Sequence, residues 1–455
     1  MSVPKYGSYR DSGVEWLGEV PAHWKVLKLS RLVDPYRAIT YGIVQAGPDI
    51  DGGVPYIRPA DMSEESGVRD ETNLLRTSED IAAAYRRSTV RAGDIVCSIG
   101  PSFGKVMVVP SSLNGANLTQ GTARIAVNDD ASSRYVFWAL RASASVCQWE
   151  SSIGGATFRS LNLEPLAATL VCCPPKSEQL AVAAFLDRET GKIDALVEAQ
   201  RRLIELLKEK RQAVISHAVT KGLDPADPMK DSGVGWLGEV PAHWDVVPLK
   251  RNLVFLTSGS RGWAEHYADE GALFLRIGNL TRDRVDLDLA DIQRVAVPLG
   301  SEGERTRVQS GDVLFSITAF LGSVAVVPSE LETAFVSQHV ALARLAGGRL
   351  LPKWVAYVTL SCVGKTQLEM GGYGGTKIQL SLGDVGDLLM TVPPPSEQAT
   401  ILNWLDAKLQ EFSTLESEAE KAISLLLERR AALISAAVTG KIDVRGLAPE
   451  QAEAA

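Results

Sequence analysis

A fourteen-residue segment occurs twice in this chain. DSGVEWLGEVPAHW at 11–24 returns at 231–244 as DSGVGWLGEVPAHW, with one change, Glu15 against Gly235. The offset of 220 residues is far longer than the roughly 20–50-residue periods of solenoid repeats. It matches a whole domain plus a connector. The chain therefore reads as a duplicated unit, whose function needs two similar but non-identical copies.

The duplication continues in order. GVPYIRPADM (53–62) stands opposite GALFLRIGNL (271–280), and RAGDIVCSIGPSFGKVMVVPS (91–111) opposite QSGDVLFSITAFLGSVAVVPS (309–329). ANLTQ (116–120) faces AFVSQ (334–338), PPKSEQ (174–179) faces PPPSEQ (393–398), and LLKEKRQAVISHAVTKG (206–222) faces LLLERRAALISAAVTGK (425–441). The segments between anchors diverge: 63–89 and 281–307 share almost nothing. A common frame with different inserts is the pattern of recognition domains, whose binding residues sit on loops held by a rigid scaffold.

Each half begins with short runs rich in Val, Ile and aromatics, broken by Gly, Pro and Asn, which predict buried or half-buried strands. These are VPYIRPA, GDIVCSI, VMVVP, ARIAV and LAATLVCC, then LFLRIG, GDVLFSI, VAVVP, HVALARL and LLMTVP. RYVFWALRAS (134–143) and KWVAYVTLS (353–361) predict one helix in each half. After each Pro-Pro stop, Ser177 and Ser396 stand as expected N-caps, with an acidic residue in the first turn. Helical sequence follows, free of proline and broken only by Gly191, which predicts a kink and a short helix before a long one.

Along these helices Ile193, Leu196, Gln200, Leu203, Leu207, Lys210 and Val214 alternate three- and four-residue steps, as do Phe412, Leu415, Ala419, Ala422, Leu426, Arg429 and Leu433. So narrow a stripe suits a coiled-coil pair, each helix partnering the other copy. About 28 helical residues span on the order of 40 Å, near the ~34–36 Å between half-sites of two-headed DNA readers. The bland alternative is that each helix merely covers its own sheet. GLDPADPMK (222–230) reads as a linker, and the tail after Asp443 as disordered.

The 455 residues suffice for two to four domains. No apolar run approaches the ~20 residues that cross a bilayer, and the N-terminus does not resemble a signal peptide. Five cysteines without a CxxC pair argue against a disulfide framework or a zinc site, and Cys172 and Cys173 are expected as buried thiols. A cytoplasmic location is expected. The net charge of −8 confines any nucleic-acid contact to local patches or to a surface completed by a partner.

No reacting constellation is visible. VDPYR (33–37) approaches an amino-methyltransferase D-P-P-Y motif but has one proline where two are needed. CVGKT (362–366) lacks the upstream glycine of a phosphate-binding loop, and GPSFGKV (100–106) has the wrong spacing. The histidines carry no ligand-like neighbours. His23 and His243 belong to the repeated PAHW and are expected to be structural, alongside Trp24 and Trp244.

DSGxxWLGEVPAHW opening each half, GD(I/V)(V/L)xSI in its middle and PPxSEQ leading into a long helix together closely resemble the specificity subunit of Type I restriction-modification enzymes. The resemblance covers nearly the whole chain, twice, in order. It implies an α+β chain of two tandem β-rich target-recognition domains, pseudo-two-fold related, separated by two long helices forming an antiparallel coiled coil. The boundaries would be 1–175 for the first recognition domain, 176–222 for the central helical spacer and 223–230 for the linker. The second recognition domain would run 231–394, the distal helical spacer 395–442, and a disordered tail 443–455.

The resemblance also implies a non-catalytic DNA-binding role, each domain reading one half of a bipartite, asymmetric site. The implied partners are double-stranded DNA, two methyltransferase subunits and motor-nuclease subunits. No cofactor is implied for this chain; S-adenosylmethionine, ATP and Mg²⁺ would belong to the partners. A coiled-coil scaffold that ignores DNA is the alternative, favoured by the acidic balance. A fused, self-sufficient methyltransferase or nuclease is opposed by the missing cofactor loop.

Base and phosphate contacts are expected from loops. In the first half the candidates are Tyr41, Gln45, Ser102, Lys105, Thr157 and Arg159; in the second they are Ser258, Ser260, Arg261, Tyr373, Thr376 and Lys377. Glycine beside Thr or Lys lets a backbone approach a phosphate, though such glycines equally supply turn geometry. Arg58 and Arg276 share one slot in both halves, which points to the scaffold or to phosphates rather than to base choice.

Overall fold

The computed structural model describes residues 4–63, 67–153, 159–259, 261–297, 301–319, 321–371 and 379–447. Helix and sheet are mixed, as expected, and the chain forms two compact units. One holds residues 1–200 and 421–455, the other 201–420. Each unit thus combines one β-rich half with parts of both long helices.

In the first unit the organising strands are β1 (Lys25–Lys28), β2 (Thr40–Tyr41), β3 (Ile95–Ser98), β4 (Val106–Val108) and β5 (Thr122–Ile125). Helices α1 (Ser133–Arg141) and α2 (Ser143–Ile153) follow, then β6 (Leu170–Cys173) and the long α3 (Lys176–Lys221). A four-stranded antiparallel sheet has the order β2-β5-β3-β4, and β6 pairs with β1. Side chains alternate across this sheet. Ile95, Cys97, Ala123 and Ile125 face the helices with Trp138 and Trp149, whereas Val96 and Met107 face a second core with Ile57 and Leu118.

The second unit repeats the plan with β7 (Asp245–Pro248), β8 (Leu253–Ser258), β9 (Val313–Ser316), β10 (Val324–Val326) and β11 (Val340–Leu345). Helices α4 (Pro352–Leu360) and α5 (Cys362–Gly371), β12 (Leu389–Val392) and the long α6 (Pro395–Val438) complete it. Its sheet order is β8-β11-β9-β10, and β7 pairs with β12. Val313, Phe315, Ala341 and Ala343 face the helical core, and Leu314, Val340 and Leu342 the opposite one.

Several sequence expectations need correction. Helix α3 is continuous over 46 residues. Gly191 costs about 1 kcal/mol relative to alanine, and buried Leu186 and Ile193 on either side hold the turn closed. Ser177 and Ser396 lie inside the first turn rather than capping it, because the helices begin at Lys176 and Pro395. The preceding Pro175 and Pro394 carbonyls accept from Gln179 and Gln398, and proline's missing N–H costs nothing at a helix start. In LAATLVCC the first residues end a short helix, Leu163–Ala168, and the strand starts at Leu170. Cys172 is buried but Cys173 is only half-buried. Order continues past Asp443, since Val444 is fully buried; residues 448–455 lie outside the described part.

The helical stripe holds at Ile193, Leu207, Phe412 and Ala419 and is shifted by one residue at the positions between them. Ile193, Val197 and Leu207 are buried, whereas Leu196 and Leu203 are exposed. On α6, Phe412 and Ala419 are buried and Leu415 is exposed. Alternating three- and four-residue steps fit two registers one residue apart, and packing chose between them. Arg430, not Arg429, turns inward, and its Nε donates to Asp194 at 2.8 Å in the first unit. In the second unit Arg211 Nη1 donates to Ser413 Oγ at 3.2 Å. There Leu207, Ile215, Leu405, Leu409 and Phe412 share one core.

Candidate functional site

The two most repeated motifs bind each other. In the first unit Trp24 Nε1 donates to Glu178 Oε2 at 3.0 Å, and His23 Nε2 lies 2.8 Å from Glu178 Oε1. In the second, Trp244 Nε1 donates to Glu397 Oε1 at 3.0 Å and His243 Nε2 lies 2.8 Å from Oε2. The neighbouring glutamine is used the same way twice. Gln179 accepts from Ser132 N and donates to Pro174 O, and Gln398 accepts from Leu351 N and donates to Pro393 O. PAHW and SEQ are therefore two sides of one latch per unit, and His23 and His243 are structural as expected.

A far helix end closes each latch. Gly440, with φ 72°, packs so closely that a Cβ there would lie 2.4 Å from Pro21 and 3.1 Å from Trp24. Gly222, with φ 73°, stands against Trp244 in the second unit, where a Cβ would have 3.4 Å. Only glycine adopts that left-handed conformation without strain.

Asp227, His243 and Glu397 bring ligand-type atoms within 4.8 Å of one another. Both Glu397 oxygens are already engaged by His243 and Trp244, so a metal ion there would compete with the latch. In the first unit the offset of 220 puts Gly7 opposite Asp227, and a cation, Arg445 Nη1, lies 3.9 Å from Glu178.

The anticipated contact residues are scattered rather than convergent. Tyr41 and Gln45 are exposed on and just after the edge strand β2. Ser102 and Lys105 lie on the β3–β4 turn and line a depression of about 420 Å³ with Arg141 and Glu150. Lys105 Nζ donates to Pro59 O at 3.4 Å. Arg159 is neutralised by Glu150 at 2.5 Å and lies over the Phe103 ring. Ser258 ends β8, and its carbonyl accepts from Arg305 at 2.9 Å; Arg261 is exposed nearby. Thr157, Ser260, Tyr373, Thr376 and Lys377 lie outside the described residues. Arg58 and Arg276 serve the scaffold. Arg58 donates to Asp61 at 2.6 Å, and its backbone N–H also reaches Asp61; the Arg276 N–H reaches Asn279 at 2.9 Å.

Sequence reasoning missed a cationic feature of the first unit. A basin of about 640 Å³ in the first unit is lined by Arg37, Arg86, Arg87, Arg91 and Arg124, with Tyr36 at its edge. Arg37 forms a two-pronged pair with Asp94 at 2.8 and 2.5 Å. Arg124 is buried on β5 and donates from Nη1 to Thr89 O at 3.0 Å and from Nη2 to Ala38 O at 3.2 Å. Its Nε has no acceptor among the described residues. Burial first, then the neighbouring Arg37 charge, push its pKa down. The available signal was three arginines within the six residues RRSTVR (86–91), hidden by an acidic total.

With sheet, latch and basin in place, the architecture is that of a duplicated mixed α/β chain carrying two long helices. Protein-family models give no match. Among curated proteins, the chain is 26% identical over 206 residues to the EcoBI Type I restriction enzyme specificity subunit of Escherichia coli, a match covering 44% of this chain and 42% of that protein. It is 20% identical over 443 residues to the MjaVIII specificity subunit of Methanocaldococcus jannaschii, covering 94% and 95% respectively. It is 22% identical over 450 residues to the Escherichia coli EcoKI specificity subunit, covering 93% and 90%.

Two solved structures share the fold. One is a chain from a structure of the type I R-M system, with TM-score 0.69 and 16% identity, covering 92% of this chain and 98% of the other. The second is the HsdS subunit from Thermoanaerobacter tengcongensis, with TM-score 0.52 and 16% identity, covering 93% and 98%. The chain is thus similar in sequence to Type I restriction enzyme specificity subunits, in agreement with the resemblance read from its sequence anchors. Among the described residues no helix is long and apolar enough to cross a membrane.

Proposed function

We propose that this chain is the non-catalytic, sequence-specific DNA-binding subunit of a Type I restriction-modification complex. Each β-rich half reads one part of a bipartite, asymmetric site. The observation that carries the reading is the contrast between repeated and divergent parts. The repeated motifs are spent on holding each unit together, through Glu178 with Trp24 and Glu397 with Trp244. The divergent segments remain to recognise different half-sites.

Helices α3 and α6 act as a paired antiparallel strut that sets the unread spacer. Their contacts at Asp194 with Arg430 and at Arg211 with Ser413 support pairing. The exposed leucines Leu196, Leu203, Leu415 and Leu425 offer apolar surface on the same helices, suited to docking methyltransferase subunits. S-adenosylmethionine, ATP and Mg²⁺ belong to those methyltransferase and motor-nuclease partners, and the assembly works in the cytoplasm. The same exposed leucines also suit the alternative, a coiled-coil adaptor that ignores DNA.

Mapping methylated adenines across a host genome, with and without this gene, tests the proposal. A bipartite methylated motif that disappears with the gene is expected. Methyl transfer by the purified chain alone, or an unchanged methylation map, refutes it. A sequence-selection assay on the assembled complex that enriches no bipartite site favours the adaptor.

A further inference from the structure

We propose that the arginine basin of the first unit is a seat for a nucleic-acid backbone phosphate, which makes the two halves grip DNA unequally. The inference rests on the DNA-binding reading above and assigns its phosphate contact to particular residues.

The basin's charge is only partly compensated from within, by Asp94 and, at longer range, Asp34. Among the described residues, Arg37 alone of its five guanidinium groups has a carboxylate within ion-pair distance, Asp94. Arg86, Arg87 and Arg91 are exposed and form no ion pair among the described residues. Arg124 is 5% exposed, spends its Nη atoms on main-chain carbonyls and leaves Nε without an acceptor. A buried cation with an unsatisfied donor is costly unless an anion completes it.

The fold does not ask for these charges. An offset of 218, the one that aligns RAGD with QSGD, places Glu304, Gln309 and Leu342 where the first unit has Arg86, Arg91 and Arg124, and keeps an arginine, Arg305, at the place of Arg87. Leu342 sits fully buried in an apolar core, on the sheet position that Arg124 occupies in the other unit. One scaffold thus accepts either leucine or arginine at this slot, so the arginine reflects what the first unit binds.

A phosphodiester fits better than a small free anion. The basin opens beside edge strand β2, whose Thr40 lines it and whose next residue is the exposed Tyr41. Tyr36, 95% exposed at the rim, presents a bare ring to solvent. Several guanidinium groups with aromatic surface beside them suit a polymer backbone and its adjoining sugar or base.

The test uses the full chain, a fluorescent 30-base-pair duplex of arbitrary sequence and, separately, inorganic pyrophosphate. R86Q/R87Q/R91Q changes only exposed side chains, and R124L installs the residue of the other unit. Each phosphate neutralised contributes about 0.9 to the slope of log affinity against log salt. The triple variant should lose about ten-fold or more in duplex affinity near 100 mM salt, with a slope lower by about 2. R124L should weaken the duplex in the same direction, and R305Q in the second unit should change it little. Wild-type affinity and slope in the triple variant overturn the basin but leave the DNA-binding reading intact. Loss of pyrophosphate binding with unchanged duplex binding identifies a small-anion site and also overturns it. A wild-type chain that binds no duplex at all overturns the basin, and the DNA-binding reading then falls only if the assembled complex selects no site either.

Discussion

Replacing Glu178 by alanine isolates the latch between PAHW and SEQ. The Trp24 indole N–H is buried, and its acceptor, Glu178 Oε2, is 3.0 Å away. A hydrogen bond to a charged group contributes about 1.5–3 kcal/mol, and a stranded buried donor costs about 1–3 kcal/mol. The His23 contact adds little, because that imidazole is nearly half exposed. E178A should therefore destabilise the first unit by about 3 kcal/mol, which for a unit of this size lowers its melting temperature by roughly 6–12 °C. Glu397 is more exposed, with 26% of its side chain accessible against 11% for Glu178. E397A should thus cost about 1 kcal/mol less than E178A. The assay is urea unfolding of E178A, W24F and the double variant. If the hydrogen bond is the latch, the two changes are strongly non-additive, with a coupling of about 1–2 kcal/mol. Additivity within about 0.5 kcal/mol would refute the reasoning.

Further expectations are sharper at single positions. G191A should stabilise the chain by about 0.5–1 kcal/mol, since a Cβ there meets no atom within 4 Å in an uninterrupted helix; loss of stability in urea melts would contradict that continuity. G440A should cost more than about 1 kcal/mol and clearly more than G222A, the first adding a 2.4 Å contact with Pro21 to the φ penalty that both share; equal costs would show that the close approach relaxes freely. The hydrogen bond from Arg445 holds the Asp443 carboxyl below its usual range, so its stabilisation is present above about pH 4 and is lost as pH falls through the depressed value. D443N should make the acid limb of the stability curve shallower, and an unchanged limb would remove Asp443 from the account. Four residues inserted near Gln200 should lengthen α3 by ~6 Å, about two base pairs, and give a longer methylated spacer with unchanged half-sites or a complex that fails to assemble; altered half-site sequences would contradict the strut.

Much of this architecture was legible before coordinates. Strands such as GDIVCSI and HVALARL are short buried runs bounded by turn residues, and both predicted helices after them formed. The structural role of His23 and His243 followed from their place in a repeated motif, but their partners lie some 150 residues away and no local pattern names them. Alternate positions of the helical stripe went wrong by one residue because Leu196 and Leu203 are as apolar as the residues that packed. The N-cap serines misled because each helix starts one residue earlier, at Lys176 and at Pro395. The arginine basin escaped notice for a different reason. Its members come from residues 37, 86–91 and 124, gathered by β2, β5 and the turn before β3, and only the fold brings them together.

One bond bears on how the protein is made. The Tyr9 hydroxyl donates to the Gly440 carbonyl, 431 residues further on, and Tyr135 reaches Val438 across 303. The amino-terminal lobe therefore waits, unfinished, while a ribosome threads out almost everything that follows. The other lobe draws only on residues 201–420 and can mature first, reversing the usual order in which nascent domains settle. A premature stop anywhere before residue 440 would thus damage the end of the protein that had been translated earliest.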